Sequence, residues 1–292
     1  MVQSIRNRDE AISAVLVLDT SGSMAGTPFE SALRAAVRFI ESKRPQDQVA
    51  IIAISDNKDG YEIVSNFERD GQALARRLAD IRASSHKTRL YDAIAAAMQM
   101  SALAGQGGTK SADAEYVASS SIIVFSDGKD EGSAISRSDL MGRISNMRIP
   151  VPIYSLAYTK VPAEYLKNLQ ALSKNTFGKY FDIGQAYHQM IRSVEEIQNI
   201  VQNDYVLTFR SYVPVDGDEH LLKVGIEYPS RSGKFRYETA RFEAIEPPPL
   251  SKVIALQQRL DKILVALPDG NPYLTNPFVA TLPDSKAPAK EK

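Results

Sequence analysis

Two apolar runs, Ala14-Val15-Leu16-Val17-Leu18 and Ser121-Ile122-Ile123-Val124-Phe125, stop at acidic turns: Asp19 follows the first, and Asp127 comes two residues after the second, across Ser126. Continuous apolar runs of strand length, bounded by turn residues, read as buried parallel strands. That constrains the chain to an open α/β sheet. Asp19 and Asp127 then stand at strand carboxyl ends, where such sheets bind ligands.

Three stretches far apart in sequence supply the polar groups for that place: Asp19-Thr20-Ser21-Gly22-Ser23, then Thr88, then Asp127 within Phe125-Ser126-Asp127-Gly128. They offer two carboxylates and three hydroxyls. Oxygen donors without imidazole or thiolate suit Mg²⁺, Mn²⁺ or Ca²⁺ and argue against zinc or copper. The small net charge of the set favours an ion that keeps some waters and an open position, which an acidic group from a partner could fill.

Asp-x-Ser-x-Ser after a first strand, a distant Thr opening a helix, and an Asp after a later apolar strand resemble the metal-ion-dependent adhesion site of the von Willebrand factor A family. The resemblance covers about residues 11 to 203. Its local wording is of the bacterial type, in Val17-Leu18-Asp19-Thr20-Ser21-Gly22-Ser23-Met24 and in Thr88-Arg89-Leu90-Tyr91-Asp92-Ala93-Ile94. It implies that Ser21, Ser23 and Thr88 are inner ligands of the ion, that Asp19 and Asp127 bind directly or through water, and that a partner's Glu or Asp completes the octahedron.

Each piece has a plainer explanation. Ser21 and Ser23 serve as turn residues, and Thr27 before Pro28 makes a good helix N-cap. Thr88 caps its helix, and Asp127-Gly128 is a tight turn. All five positions, in order and at these strand ends, agree on one site more economically than five separate turns do. A site that folds in this way but holds no metal is the remaining alternative.

With 292 residues, 35 Lys plus Arg against 35 Asp plus Glu, and no Cys, the chain reads as a globular protein of zero formal net charge and about two domains. No basic stripe marks a nucleic-acid surface. Disulfides, thiol catalysis and thiolate metal sites are excluded. No apolar run approaches the ~18 residues of a membrane span, and Met1 to Glu10 lacks the apolar centre of a signal peptide. Similar bacterial chains with a trailing β module are often exported or tethered, so the expected compartment leans extracytoplasmic, periplasm or cell surface.

Residues 11–203 alternate strand and helix patterns. Phe29, Leu33, Val37 and Ile40 give a helix from about Pro28 to Lys43. Gln48 to Ser55 is a strand, and Tyr61 to Phe67 an antiparallel edge strand across Asn57-Lys58-Asp59-Gly60. Leu74, Leu78 and Ile81 mark a short helix; Leu90, Ile94 and Ala97 or Met98 mark another, starting at Thr88. Gln106-Gly107-Gly108-Thr109 opens a polar loop. Further helices are expected over Asp139–Met147, Pro162–Leu172 and Ala186–Gln202, the last with Met190, Val194, Ile197 and Val201 on one face. Strands are expected over Val151–Ala157, with proline stiffening its start, and over Gly178–Ile183. The predicted fold is a doubly wound, mostly parallel sheet with one antiparallel edge strand.

From 204 to 246 only strand patterns remain, at Tyr205–Phe209, Leu221–Ile226 and Phe235–Phe242, with turn signals at Val215-Asp216-Gly217-Asp218 and Ser230-Arg231-Ser232-Gly233. Three strands bury little by themselves, so a small β module packed on the first domain is expected, completed by the N-terminal residues or by sequence from elsewhere. After Pro247-Pro248-Pro249, residues 250–267 read as an amphipathic helix with Val253, Leu256, Leu260, Ile263 and Leu267 on one seam. Docking on its own protein is the plainer role of that seam; self-association through 253–267 is the other. Residues 268–292 read as a flexible tail.

Enzyme chemistry lacks its groups. Ser21 stands where an Asp-x-Asp phosphotransferase loop needs its acid, no Gly-x-Ser-x-Gly elbow or Gly-x-x-x-x-Gly-Lys-Ser/Thr loop occurs, and His86, His188 and His220 are scattered. Asp130 and Glu131 read as a solvated acidic loop; tuning the surface beside Asp127 is the other reading. No catalytic residue is expected. The expected function is metal-dependent protein binding or assembly, with Asp19, Ser21, Ser23, Thr88 and Asp127 as metal residues. Two rivals are a scaffold whose metal only ties loops together and a regulatory domain that signals to an attached module.

Overall fold

The computed structural model describes residues 2–4, 11–104, 120–147, 151–158, 163–203, 205–207, 213–227 and 235–244. The chain divides into two compact units, one of Ser4–Tyr205 and one of Met1–Gln3 with Val206–Lys292.

The larger unit is built on six strands: β2 (Ser13–Leu18), β3 (Gln48–Ile54), β4 (Tyr61–Glu68), β5 (Ser120–Ser126), β6 (Ile153–Tyr158) and β7 (Tyr180–Gly184). Their order is β4-β3-β2-β5-β6-β7. All neighbours run parallel except β3 and β4, which are antiparallel with register shifts between Val49 and Ile52. The mostly parallel sheet with one antiparallel edge strand is thus present as expected. The chain leaves β2 for β3 on one side and places β5 on the other, so β2 and β5 flank the topological switch point.

Six helices cover the sheet: α1 (Thr27–Ser42), α2 (Gly71–Asp80), α3 (Leu90–Ala104), α4 (Arg137–Ser145), α5 (Ala163–Asn175) and α6 (Met190–Gln202). Alternate residues of a strand face opposite sides. Val15, Val17, Ile122 and Val124 accordingly join a core with Leu90, Ile94, Leu140 and Leu169 of α3, α4 and α5, while α1 packs with α6 and α2. Met190, Val194, Ile197 and Val201, the predicted face of α6, are all buried. α3 is buried nearly all round, from Leu90 and Tyr91 through Ala93, Ile94, Ala97 and Met98, the pattern of a central helix.

Two helix starts differ from the sequence reading. Gly26, not Thr27, is the N-cap of α1; Thr27 is its first residue, with no side-chain cap bond. α3 begins at Leu90 rather than Thr88, and its first backbone bond runs from the Ala93 N–H to the Arg89 carbonyl. The orphan N–H groups of a helix start need acceptors. Here Ser133 Oγ accepts from the Tyr91 and Asp92 N–H groups at 3.1 and 3.2 Å, and Asp130 Oδ1 is 3.3 Å from Tyr91 N. The cap comes from a loop some forty residues away, so Thr88 is not needed for it. Other boundaries agree to within three residues, except that α6 begins at Met190, four residues after the expected Ala186.

In addition, β1 (Val2–Ser4) pairs with β8 (Tyr205–Leu207), and β9 (Glu219–Glu227) with β10 (Phe235–Glu243) in an antiparallel ladder. The three expected strands therefore do not share one sheet among the described residues: the first takes its partner from the N-terminal residues. The expected turn at 230–233, the amphipathic helix at 250–267 and the tail at 268–292 lie outside the described residues.

Candidate metal centre

The β2–β5 register pairs Leu18 with Phe125, and the Asp19 N–H donates to the Phe125 carbonyl at 3.0 Å. Asp19 therefore stands level with Ser126, and Asp127 one residue beyond. Both aspartates are 1% exposed. Asp19 Oδ1 accepts from the Ser21 N–H at 2.9 Å, an Asx turn that closes the loop. Asp19 Oδ2 accepts from the Ser126 hydroxyl at 2.6 Å. Ser21 Oγ and Ser23 Oγ lie 3.0 Å apart, one buried and one exposed, within the 3-10 turn region that leads to α1.

Asp127 makes its own Asx turn: its Oδ1 accepts from the Lys129 N–H at 3.0 Å. Gly128 follows with φ +81°, and a Cβ there would stand 2.6 Å from the Tyr165 carbonyl oxygen, so both conformation and space call for glycine. The second carboxylate oxygen, Asp127 Oδ2, is buried with no hydrogen-bond partner among the described residues.

Thr88 is 1% exposed and reaches the same end of the sheet through two links. Ser85, three residues before it, forms a parallel bridge with Ser21: Gly22 N–H donates to the Ser85 carbonyl and Ser85 N–H to the Thr20 carbonyl, both at 3.0 Å. On the other side the Glu131 N–H donates to the Thr88 carbonyl at 2.7 Å. Behind this loop junction, Thr20 Oγ1 and Ser85 Oγ are 2.8 Å apart, and both hydroxyls bond the Ile54 carbonyl, Ser85 at 3.1 Å.

The electrostatics are those of a site short of positive charge. Burial, then the charge of Asp127, push the Asp19 carboxyl from 3.8 up to about 6, against the downward pull of the Ser126 and Ser21 hydrogen bonds. Below it, buried Tyr158 at the end of β6 donates to Met190 Sδ at 3.4 Å, and burial followed by the Asp19 charge holds its phenol well above its usual range. Two carboxylates in so dry a place repel each other unless a proton or a cation intervenes. Among the described residues no three His, Cys, Asp or Glu side chains gather around one point. The donor set is instead carboxylate and hydroxyl, with one buried carboxylate oxygen free, which fits a hard divalent cation.

The five residues named from the sequence lie on connected loops: Asp19, Ser21 and Ser23 in one loop, Asp127 joined to it through Ser126, and Thr88 on a segment bonded to Ser21's loop through Ser85 and to the Asp127 loop through Glu131. The sequence reading missed Ser126, Thr20 and Ser85. Ser126 was legible as a polar residue interposed between an apolar run and Asp127; Ser85 had no local signal. Asp130 is not simply a solvated acid, since its carboxylate takes the Gly132, Ser133 and Tyr91 N–H groups and the Ser133 hydroxyl. Glu131 is exposed and paired with Lys129. His86 is exposed.

An open sheet with loops closing on the switch point between β2 and β5 defines a doubly wound α/β domain. Residues 14–129 match the sequence model of the von Willebrand factor type A domain family. No curated protein sequence matches the chain. Among solved structures, the von Willebrand factor type A protein from Catenulispora acidiphila aligns with a TM-score of 0.53 at 17% identity, over 66% of this chain and 43% of that one. The chain therefore spans less than half the length of that relative, and the likeness is one of fold. The SpRpn10 VWA domain gives 0.48 at 14% identity, over 64% of this chain and 95% of that one. BatB from Bacteroides thetaiotaomicron gives 0.46 at 15% identity, over 65% and 100%. Among the described residues no helix is long and apolar enough to cross a membrane.

Proposed function

We propose that this domain is a divalent-cation-dependent protein-binding or assembly module. Ser21, Ser23 and Thr88 would hold Mg²⁺, or Mn²⁺ or Ca²⁺, together with Asp19 and Asp127, and a Glu or Asp of a partner protein would complete the ion's coordination. The carrying observation is the buried, unpartnered Asp127 Oδ2 beside the raised Asp19 carboxyl. When bound, the ion supplies the positive charge that a partner carboxylate needs. The chain's own residues do the rest: the Ser126 hydroxyl and Ser21 N–H orient Asp19, the Lys129 N–H orients Asp127, and the Ser85 bridge holds the two loops in register. We read the domain as a binder and not an enzyme.

A scaffold reading, in which the metal only ties loops together, draws on the Thr20, Ser85 and Ile54 network, which joins the same loops by hydrogen bonds. Calorimetric titration of Mg²⁺, Mn²⁺ and Ca²⁺ into chelator-treated protein, beside an Asp19→Ala, Asp127→Ala variant, tests the metal. Saturable binding in the native chain and none in the variant is expected. Heat in neither would sink the metal reading. Partner capture abolished by chelator separates the binding module from the scaffold.

A further inference from the structure

We propose that Asp56 is a positioning residue for the metal centre: its carboxylate hangs the backbone just before Thr88 from the end of β3. The inference rests on the metal reading above and adds the control of that site.

β3 ends at Ile54, and the chain turns through Asp56 toward β4. Asp56 Oδ1 and Oδ2 accept from the His86 N–H at 3.0 and 2.8 Å, and Oδ1 also accepts from the Lys87 N–H at 3.1 Å. These are the two amides immediately before Thr88. Asp56 is exposed and is bonded to none of the five proposed metal residues. The His86 hydrogen bond is the main cause holding its carboxyl below the usual range, so it is charged at neutral pH.

The segment needs such a holder because it has no regular structure of its own. α3 starts only at Leu90, and the Thr88 side chain hangs on a stretch whose preceding residue, Ser85 aside, is fixed by Asp56. Ser85 is fixed by its bridge to Ser21, and the Thr88 carbonyl by the Glu131 N–H. Asp56 therefore fills the gap between two other anchors. Adjacent N–H groups bonded by one carboxylate form charge-assisted bonds, stronger than neutral ones. Removing them exposes the amides to water at little cost in folding, because the place is already wet, while the hydroxyl of Thr88 loses its fixed position. Groups that orient metal ligands from behind typically change affinity ten- to a hundredfold when mutated.

The test uses the full chain as native, Asp56→Ala and Asp56→Asn proteins. Amide hydrogen exchange of residues 84–89 is followed in chelator-treated protein, and Mg²⁺ and Mn²⁺ are titrated by calorimetry. Asp56→Ala is expected to speed exchange at His86 and Lys87, leave the thermal midpoint of the chelated protein nearly unchanged, and weaken metal binding by about tenfold or more. Asn, which keeps one acceptor oxygen, is expected to recover much of the affinity. Unchanged affinity in Asp56→Ala, beside a native protein that binds, overturns the inference alone. A loss matched by general destabilisation, or one that Asn does not recover, makes Asp56 a plain structural anchor and also overturns it. A native protein that takes up no metal removes the metal reading and this inference with it.

Discussion

The Ser126 hydroxyl donates to Asp19 Oδ2 at 2.6 Å, while the same Ser126 Oγ accepts from the Gly128 N–H at 3.0 Å. One fully buried hydroxyl thus orients the first aspartate and fixes the turn that carries the second. Register explains it, since Asp19 and Ser126 each follow one residue after the Leu18–Phe125 pair.

Ser126→Ala should leave the Gly128 N–H without its acceptor and Asp19 without its donor. A destabilisation of about 1–3 kcal/mol is expected, because buried groups are left unsatisfied. Urea unfolding of the chelated variant measures it, and a change below a few tenths of a kilocalorie would show that water replaces the hydroxyl. The Asp19 carboxyl should titrate higher still, its hydrogen-bond stabilisation gone.

The folded protein holds the Asp19 proton more tightly than the unfolded chain does, since its value rises from 3.8 to about 6. That contribution, at most about 3 kcal/mol, is complete below about pH 4 and is lost as pH climbs through about 6. Chelated native protein should therefore lose part of its stability between pH 4 and 7 for this reason. Asp19→Asn should flatten that dependence and raise the melting temperature of chelated protein at pH 7. An unaltered pH profile in the variant would show that Asp19 carries no shifted proton.

Phe177 has φ 59° and is 77% exposed, and the Gly178 N–H donates to the Ser173 carbonyl at 2.9 Å. This is the position after a helix where glycine is usual. Phe177→Gly should stabilise by about 1 kcal/mol through relief of left-handed strain. Gly178→Ala should do the opposite, since its Cβ would meet the Ile153 carbonyl oxygen at 2.0 Å; a loss of about 3 kcal/mol is expected. Chemical denaturation of both variants checks the opposite signs.

Asp47 is 4% exposed and accepts from the Ile12 N–H at 3.0 Å and from Arg44 Nη2 at 2.8 Å, the guanidinium being itself mostly buried. Asp47→Ala should cost about 3–5 kcal/mol, as breaking a buried ion pair does. Asp47→Asn should cost less, because it keeps an acceptor for Ile12. Equal losses in the two variants would assign the effect to charge alone.

The parallel strands were readable because burial on both faces leaves continuous apolar runs, as in Ala14–Leu18, and the helices because one-sided burial leaves a stripe, as in Met190 to Val201. The start of α3 was misread at Thr88 because its cap is Ser133 and Asp130, brought from a distant loop, and capping groups of that kind leave no mark near the helix. Asp56 left no mark for the same reason: its partners are backbone amides, which have no sequence identity; Ser85 bonds a distant carbonyl and the Thr20 hydroxyl, a pairing set by the fold.

By itself, the sequence determined that two aspartates end two buried strands and that Ser21, Ser23 and Thr88 are the hydroxyls offered with them, because strand periodicity and turn chemistry are local properties. Only the tertiary structure decided that β2 and β5 are neighbours, that Leu18 lies against Phe125, and that Asp127 Oδ2 is buried without a partner. Register and burial depend on how distant segments pack, and packing is a property of the whole sheet.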